Sequence, residues 1–241
     1  MGYECFFLPC LIILYRGGYL DPVEASTFQN LRKFTFNLND FDEETELQGI
    51  RNVIDRNESN LKHLILGGPF PDEEESWDLV FESATIDNLI HLALFIPNIS
   101  GFVLNRVAYA NNLQSLTFHG SFVEPEYASQ VFPTIDMPNL ESFAFIMEDG
   151  DESLHEHVAW HFLRKREKLQ RLDLGSCPWD IAQDILPTLI NLRVLGLCLD
   201  EFEQMKTLVE SIPTQMVAIR LSVDISDSDS PLVRSFLIPC S

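Results

Sequence analysis

The sequence predicts an α/β solenoid, in which strand–helix units stack one after another and share a parallel sheet. Three observations lead to this fold class: an apolar phrase that returns at nearly even intervals, helical stripes between its copies, and prolines where the helices should end. A repeat period of about 20 to 50 residues is typical of such proteins. Each unit then buries its apolar side mainly against its neighbours.

The repeated phrase has the form Asn-Leu-x-x-apolar-x-apolar. Its last two apolar residues are two positions apart, so they point to one side of a short strand, while the residues beside them point to the other side. Each copy is therefore predicted to be one strand of the sheet. The copies lie at 30–36, 60–66, 112–118, 139–145 and 191–197, with a near match at 168–174 and a weaker copy at 216–221.

Between the copies, apolar residues recur every three or four positions, which is the spacing of one helical face. Proline follows several of these stretches, and because proline lacks the amide hydrogen that a helix interior needs, the helices should end there. The stripes are Leu47, Ile50 and Ile54; Ile181, Ile185 and Leu189; and Phe202, Met205, Val209 and Ile212. The prolines are Pro97, Pro133, Pro138, Pro187 and Pro213.

Between the second and third clear copies the chain has room for one further strand, and two candidates compete for it. One begins at Asn88 and restores even spacing, whereas the other occupies 98–104 and lies close to the next copy. We favour the second, because Pro97 and Gly101 suit a helix poorly. A helical stripe then precedes it, formed by Ile86, Leu89, Ile90 and Leu94.

Residues 1–241 are predicted to form a single repeat domain, since no linker divides them. Within it, residues 1–29 are an irregular N-terminal cap or the remnant of an upstream module. The apolar run Cys5–Tyr15 is too short to cross a bilayer as a helix, so we expect an imperfect first strand that extends the sheet. A signal peptide fits less well, because Glu4 stands where positive residues are expected.

The formal charge of −21, from 16 basic and 37 acidic residues, opposes contact with nucleic-acid phosphates and with anionic lipid. We therefore expect neither a nucleic acid nor a membrane as partner. Acidic residues cluster after the predicted strands, as at 72–75 and 148–152, and should line one edge of the sheet. This edge either supports helix N-termini and solubility or meets a basic protein partner. Basic residues favour the opposite ends of the strands.

Five cysteines show neither a disulfide framework nor metal-ligand spacing, and their odd number also argues against full pairing. A reducing compartment, the cytoplasm or the nucleus, is therefore expected. Asn57 and Asn98 match the glycosylation acceptor, but that match is common by chance and both are predicted to be unmodified.

The only cluster that resembles a reactive site contains His155, His157 and His161. The metalloprotease motif fails, because Ala159 occupies the position of its second histidine. His157 and His161 share a helical face but lack the further ligands that structural zinc needs. Cys177 follows a predicted strand without an identifiable base, and no Gly-rich phosphate loop or nucleophile elbow is present. We expect no enzyme, no cofactor and no metal.

The phrases from residue 30 to residue 197 resemble leucine-rich repeats, and their irregular lengths, Phe substitutions and preceding Pro-Asn are similar to the repeat regions of fungal F-box proteins. The resemblance implies a leucine-rich-repeat solenoid with a curved parallel sheet on the concave side and helices on the convex side. It also implies that the concave sheet captures a protein and that an N-terminal F-box delivers it to a cullin-type ubiquitin ligase. No helical periodicity precedes Leu31, so we expect either a fragment or divergent product, or a protein that binds without a ligase arm.

The expected function is a non-enzymatic protein-interaction scaffold, the substrate-recognition part of an F-box-like adaptor. Its ligand surface should be the outward positions of the sheet. These are Lys33, Thr35, His63, Ile65, Val103, Thr117, His119, Ala144, Arg171, Asp173, Gly196 and Arg220. Two alternatives stay open: an extracellular or surface recognition protein, which glycans at Asn57 would favour, and a catalytic repeat-containing ligase that uses Cys177 or Cys198.

Overall fold

A computed structural model describes residues 11–16, 28–37, 44–68, 76–147, 152–199, 204, 207–208, 212–225 and 232–239. Ten strands form one sheet whose spatial order is the order of the chain. The first nine strands pair in parallel, and the tenth pairs antiparallel with the ninth. The strands are β1 (Leu11–Arg16), β2 (Leu31–Asn37), β3 (His63–Gly67), β4 (His91–Ile99), β5 (Ser115–Phe122), β6 (Ser142–Met147), β7 (Arg171–Asp173), β8 (Val194–Leu199), β9 (Ala218–Ile225) and β10 (Leu232–Pro239).

Helical segments alternate with most of the parallel strands, which confirms the predicted α/β class. The α-helices are α1 (Glu44–Arg56), α2 (Ser76–Phe81), α3 (Gly101–Ala108), α4 (Pro125–Val131), α5 (Glu152–His157) and α6 (Trp179–Ile185). Short 3-10 segments lie at Ala84–Asn88, Phe132–Thr134, Leu163–Lys165 and Leu186–Thr188, and a π-helical turn follows α5 at Val158–Phe162.

The apolar residues of the phrases form the sheet side of one continuous core. Phe34 pairs in register with Leu64, and the same inward row continues through Leu92 and Leu116. The predicted stripe residues of α1 and α6 lie in the same core, as do residues of every repeat from Leu31 to Leu221. The helices therefore pack on one side of the sheet. Of the third predicted stripe, Phe202, Met205 and Val209 lie outside the described residues, and Ile212 packs at the border of the core.

Backbone hydrogen bonds tie each repeat to the next just before its strand. The carbonyl of Lys62 accepts from two amides of the following repeat, those of Ile90 at 2.8 Å and His91 at 3.0 Å. The same double acceptance recurs at Ile90, Gln114, Glu141, Gln170 and Arg193. Because each buried amide must find a partner, this recurring pattern holds the strands in one register.

In two of the phrases, the opening Asn also links repeats. The side-chain amide of Asn112 donates to the carbonyl of Asp87 at 3.2 Å, and that of Asn191 donates to the carbonyl of Glu167 at 2.6 Å. Each donor therefore reaches back by one repeat. This contact gives a physical reason for Asn in a phrase that otherwise consists of apolar residues.

Phenylalanine replaces leucine in the middle repeats because several rings pack together there. Phe132 lies at the centre of this cluster, with ring centroids 6.1 Å from Phe118, 5.7 Å from Phe145 and 5.6 Å from Phe162. All three contacts are edge-to-face, which is a favourable arrangement for aromatic rings. The cluster joins two consecutive repeats through one side chain.

The predicted order of helix and strand between residues 86 and 104 is wrong. The observed strand is β4, which matches the rejected candidate beginning at Asn88, and the favoured segment 98–104 instead leads into α3. Pro97 fits inside β4 because the register with β5 shifts between Phe95 and Asn98. A bulge of this kind leaves a residue out of the ladder, so the missing proline amide causes no loss.

The start of α3 shows why Gly101 did not prevent a helix. The Ser100 hydroxyl caps the helix by accepting from the amide of Val103 at 3.1 Å. A Cβ on Gly101 would lie 2.9 Å from the ring of Tyr127, so this close approach favours glycine. Packing and capping override the weak helix propensity here.

At the N-terminal side, β1 pairs with β2 and extends the sheet, which confirms the strand expected in this region. Most of the predicted acidic edge lies outside the described residues, including 72–75 and 148–151. At the opposite end, Lys62 and Arg193 directly precede β3 and β8, as predicted for the basic residues.

Candidate functional site: the open face of the sheet

The open face is the side of the sheet that points away from the helices, and it consists of the outward positions of the strands. Along β5 and β6, inward side chains are buried while the outward ones are half-buried. Eleven of the twelve residues predicted as a ligand surface lie on this face. They are Lys33, Thr35, His63, Ile65, Thr117, His119, Ala144, Arg171, Asp173, Gly196 and Arg220.

The twelfth residue, Val103, was predicted wrongly. It lies in α3, is fully buried and belongs to the core, because 98–104 does not form the strand that the sequence favoured. The open-face positions of this repeat are His91, Ala93 and Phe95 on β4. The even spacing of the copy that begins at Asn88 was the signal that could have found them.

Outward residues align in rows that run across the strands, because the strands share one parallel register at these positions. The register shift between β4 and β5 follows Phe95 and lies beyond both rows. The central row is Thr35, Ile65, Ala93, Thr117, Ala144, Asp173, Gly196 and Arg220. The row on the amino-terminal side begins at Lys33 and continues through His63, His91, Ser115, Ser142 and Arg171. The sequence predicted several members of each row but did not identify the rows themselves.

Small side chains form the floor of the central row. Ala93 and Gly196 are buried, and Thr117 and Ala144 are half-buried between neighbouring strands. On the carboxyl-terminal side, Phe95 is 45% exposed and meets His119 edge-on, with ring centroids 5.7 Å apart. The open face therefore combines a flat floor with taller aromatic and charged side chains beside it.

His63 and His91 lie side by side on adjacent strands at the amino-terminal row. Their ring centroids are 5.7 Å apart and the rings are tilted by 32°. Burial is the main cause that lowers the pKa of both histidines, and the positive charge of Lys33 lowers the pKa of each further. His63 also lowers the pKa of His91. The pair therefore resists protonation until the pH falls below the ordinary range of histidine.

Asp173 and Arg220 form a salt bridge across the strand that separates them. The residue between them in register is Gly196, and a Cβ there would lie 2.7 Å from the Asp173 carboxyl carbon. The other carboxylate oxygen of Asp173 accepts from the amide of Gly175 at 3.3 Å. Glycine at this position leaves the space through which the two side chains meet.

Two shallow depressions lie at the edges of the sheet. One, of about 370 Å³, is lined by residues that include Glu141, Lys168 and Arg193. The other, of about 410 Å³, lies beside α3, where the Ser100 hydroxyl donates to Asp78 and the amide of Asn105 donates to the Tyr127 hydroxyl, both at 2.5 Å. In the second depression these polar groups already satisfy one another.

The histidine cluster near α5 does not form a metal site in the described part of the chain, where no three His, Cys, Asp or Glu side chains come together as ligands would. His155 is buried and packs edge-on against Phe145, with centroids 5.3 Å apart. The rings of His157 and His161 are tilted by 34°, with centroids 5.4 Å apart. The three histidines therefore make ring contacts at the edge of the buried face of this helical segment.

Cys177 lies in a place that disfavours nucleophilic chemistry. Its side chain is 5% exposed, and burial, with a smaller contribution from Asp180, raises its pKa to about 12. A thiol nucleophile acts as the thiolate, which requires a lowered pKa. Cys177 is therefore a packing residue next to β7.

Asn57 has a structural role that the glycosylation motif did not reveal. Its side chain is fully buried. The side-chain oxygen accepts from the amide of Leu31 at 2.8 Å, and the side-chain nitrogen donates to the carbonyls of Val53 at 2.7 Å and Phe28 at 3.0 Å. Its position ties the end of α1 to the start of β2, and a glycan on this nitrogen is incompatible with the fold.

No protein-family profile and no curated protein matches this chain. Among the residues that the structure describes, no helix is both long enough and apolar enough to cross a bilayer.

Proposed function

We propose that this chain is a protein-interaction scaffold whose ligand lies on the open face of the sheet. The observation that carries the proposal is the continuous pairing of the central row and the amino-terminal row across the parallel strands from β2 onward, since both rows lie before the register shift that follows Phe95 in β4. A surface of this extent suits an extended macromolecular contact, whereas small-molecule sites are concave pockets. The open face places small, charged and aromatic side chains next to one another, as protein interfaces commonly do.

The finer part of the proposal is that the fold is a leucine-rich-repeat solenoid and that the chain recognises the substrate of a cullin-type ubiquitin ligase. The strand-by-strand stacking and the Asn links between repeats support the first statement. The second rests on the resemblance of the phrases to those of F-box proteins. The adaptor proposal also includes an intracellular location, a non-enzymatic role and components of the ligase as further partners.

The extracellular alternative gains no support from Asn57. That alternative would be favoured by a glycan on Asn57, but this side chain is buried and uses both its oxygen and its nitrogen in hydrogen bonds. The catalytic alternative is weakened in the same way at Cys177, because its raised pKa disfavours the thiolate that a thioester mechanism needs.

A pair of matched variants tests the proposal. Thr117→Arg places a long side chain on the floor of the open face, whereas Gln130→Arg adds the same charge at an exposed position of α4. Proteins captured by the native chain in a cell extract should lose binding to the Thr117→Arg variant and keep binding to the Gln130→Arg variant. Circular dichroism and thermal unfolding establish that both variants are folded.

Equal capture by both variants would contradict the proposal. To test the finer statement, captured proteins are also examined for cullin-type ligase components. Their absence from the native capture, while open-face partners are present, would retain the scaffold and reject the adaptor role.

A further inference from the structure

The outward strand positions whose side chains the structure describes carry a charge opposite in sign to that of the whole chain. The formal charge of the chain is −21. Among the outward strand positions whose side chains the structure describes, the only carboxylate is that of Asp173, and Arg220 pairs with it. The remaining titratable groups there are bases, apart from the thiol of Cys198. They are Lys33, His63, His91, His119 and Arg171.

Most of these bases belong to the amino-terminal row, and we call the stretch from Lys33 to Arg171 the basic row. Its members in order are Lys33, His63, His91, Ser115, Ser142 and Arg171. It contains no carboxylate. Adjacent strands are about 4.8 Å apart, so the row is about 24 Å long. An extended peptide of about seven residues has the same length.

Two cations of this row have no competing partner in the described part of the chain. Lys33 and Arg171 take part in no salt bridge there, whereas Arg51, Arg106, Arg166 and Arg220 each pair with a carboxylate. Arg171 is exposed and Lys33 is half-buried. Both cations can therefore meet a ligand without breaking an existing ion pair.

We propose that the basic row binds an extended acidic segment of a partner protein, which lies across the strands with its carboxylates on Lys33, the His63–His91 pair and Arg171. The hydroxyls of Ser115 and Ser142 supply hydrogen-bond donors between the two charged ends. This inference rests on the proposed function, because it names the chemistry of the ligand for the same face.

The histidine pair makes this contact sensitive to pH. The groups that face the pair are Lys33 on β2 and the uncharged Ser115 on β5, so no carboxylate on the adjacent strands stabilises the protonated rings. Burial and the charge of Lys33 lower the pKa of both histidines in the free chain. Carboxylates of a ligand would supply the missing negative charge, so binding and protonation should favour each other.

The test uses octa-aspartate labelled with tetramethylrhodamine, whose charge does not change in this pH interval, and octa-asparagine with the same label is its uncharged match. Aspartate stays ionised at both pH 7.5 and pH 5.5, so a change in affinity between them reports on the protein. Fluorescence anisotropy at constant ionic strength should show at least a tenfold tighter Kd for octa-aspartate at pH 5.5. Octa-asparagine should bind at neither pH.

Variants distinguish binding by the basic row from a general effect of the charge of the chain on binding. His63→Gln combined with His91→Gln should reduce the pH effect to less than twofold, and Arg171→Gln should weaken binding at both pH values. His161→Gln, which removes an exposed histidine on the helix side, should behave as the native chain. The inference is overturned if the double histidine variant keeps the native pH effect, or if octa-asparagine binds as well as octa-aspartate.

A second copy of this acidic chain is the rival occupant. Sedimentation at pH 5.5 should show the same monomeric species for the native chain and the double histidine variant. A dimer seen only with the native chain would overturn the assignment to a separate partner protein.

The experiments can reject the scaffold proposal and the acidic-ligand proposal independently of each other. Loss of captured partners in Thr117→Arg together with no octa-aspartate binding would reject the acidic ligand and retain the scaffold. The reverse result would retain the anionic site and reject the open face as the scaffold surface.

Discussion

Asp173 and Arg220 pair over Gly196, so two side chains that are two strands apart meet on the open face. Neighbouring strands lie about 4.8 Å apart, which leaves the pair about 10 Å to cross. Only a residue without a side chain leaves that path open, since a Cβ at 196 would lie 2.7 Å from the Asp173 carboxyl carbon. The pair occupies one arginine and the only described open-face carboxylate, so neither is available to a ligand without breaking the salt bridge.

We expect Gly196→Val to lower the free energy of unfolding by about 1–3 kcal/mol, because the new side chain would displace the Asp173 carboxylate and crowd the sheet. Urea unfolding followed by circular dichroism measures this. The control is Asp173→Asn with Arg220→Gln, which removes the ion pair but not the space. Since half-exposed ion pairs contribute about 0–1 kcal/mol, the control should be milder. An equal loss in both would contradict the steric explanation.

We expect Phe132→Ala to lower the free energy of unfolding by about 3–5 kcal/mol, the range for removing a buried aromatic ring. The ring of Phe132 is fully buried and contacts three rings in two consecutive repeats. Phe102→Ala serves as a matched control, because Phe102 is 40% exposed on α3. The free energy of unfolding should fall much less in Phe102→Ala than in Phe132→Ala. Similar midpoints in urea for the two variants would argue against the central position of Phe132.

We expect Asn57→Ala to destabilise the chain by about 2–4 kcal/mol. It leaves the amide of Leu31 and the carbonyl of Val53 without their side-chain partner, and each buried unpaired group costs about 1–3 kcal/mol. Asn111→Ala, at an exposed turn position, should change the stability by less than about 0.5 kcal/mol. Hydrogen exchange at Leu31 gives a local readout. Unchanged protection of that amide would refute the proposed link between α1 and β2.

We expect the ligand-free chain to lose stability as the pH falls from 7.5 to 5.5, in part through the histidine pair. Both pKa values are lowered in the folded state, so the unfolded chain binds protons first and gains relative stability below its ordinary histidine pKa. The His63→Gln and His91→Gln double variant should lose less stability over this interval. Thermal unfolding at several pH values measures the difference, and identical slopes would contradict the prediction.

We expect Cys177 to resist alkylation in the folded chain. Its pKa is raised to about 12, so the thiolate fraction at pH 8 is very small, and its side chain is buried. A variant that keeps Cys177 as its only cysteine should react with iodoacetamide in urea but not in native buffer. A companion variant that keeps only Cys198, which is half-buried on the open face, should react faster in native buffer. Rapid native labelling of Cys177 would revive the catalytic alternative.

The sequence by itself determined the repeating parallel strands apart from β4, the side of those strands that faces the core, and eleven outward positions of the candidate site. It could do so because alternation along a strand and the spacing of a helix are local properties, and the phrase repeats them several times. Even the departures from leucine were readable as apolar. The sequence did not show why phenylalanine replaces leucine in the middle repeats, where the rings cluster around Phe132.

Only the tertiary structure decided where β4 begins and what the residues after it do. Local propensity counted Pro97 and Gly101 against a helix, but the bulge beside β5 accommodates the proline and the packing against Tyr127 accommodates the glycine. Contacts between residues far apart in the chain also decided that Asn57 is a buried connector and that Arg220 is paired. These outcomes depend on which side chains of different repeats are in contact. The spacing of residues within one repeat does not determine those contacts.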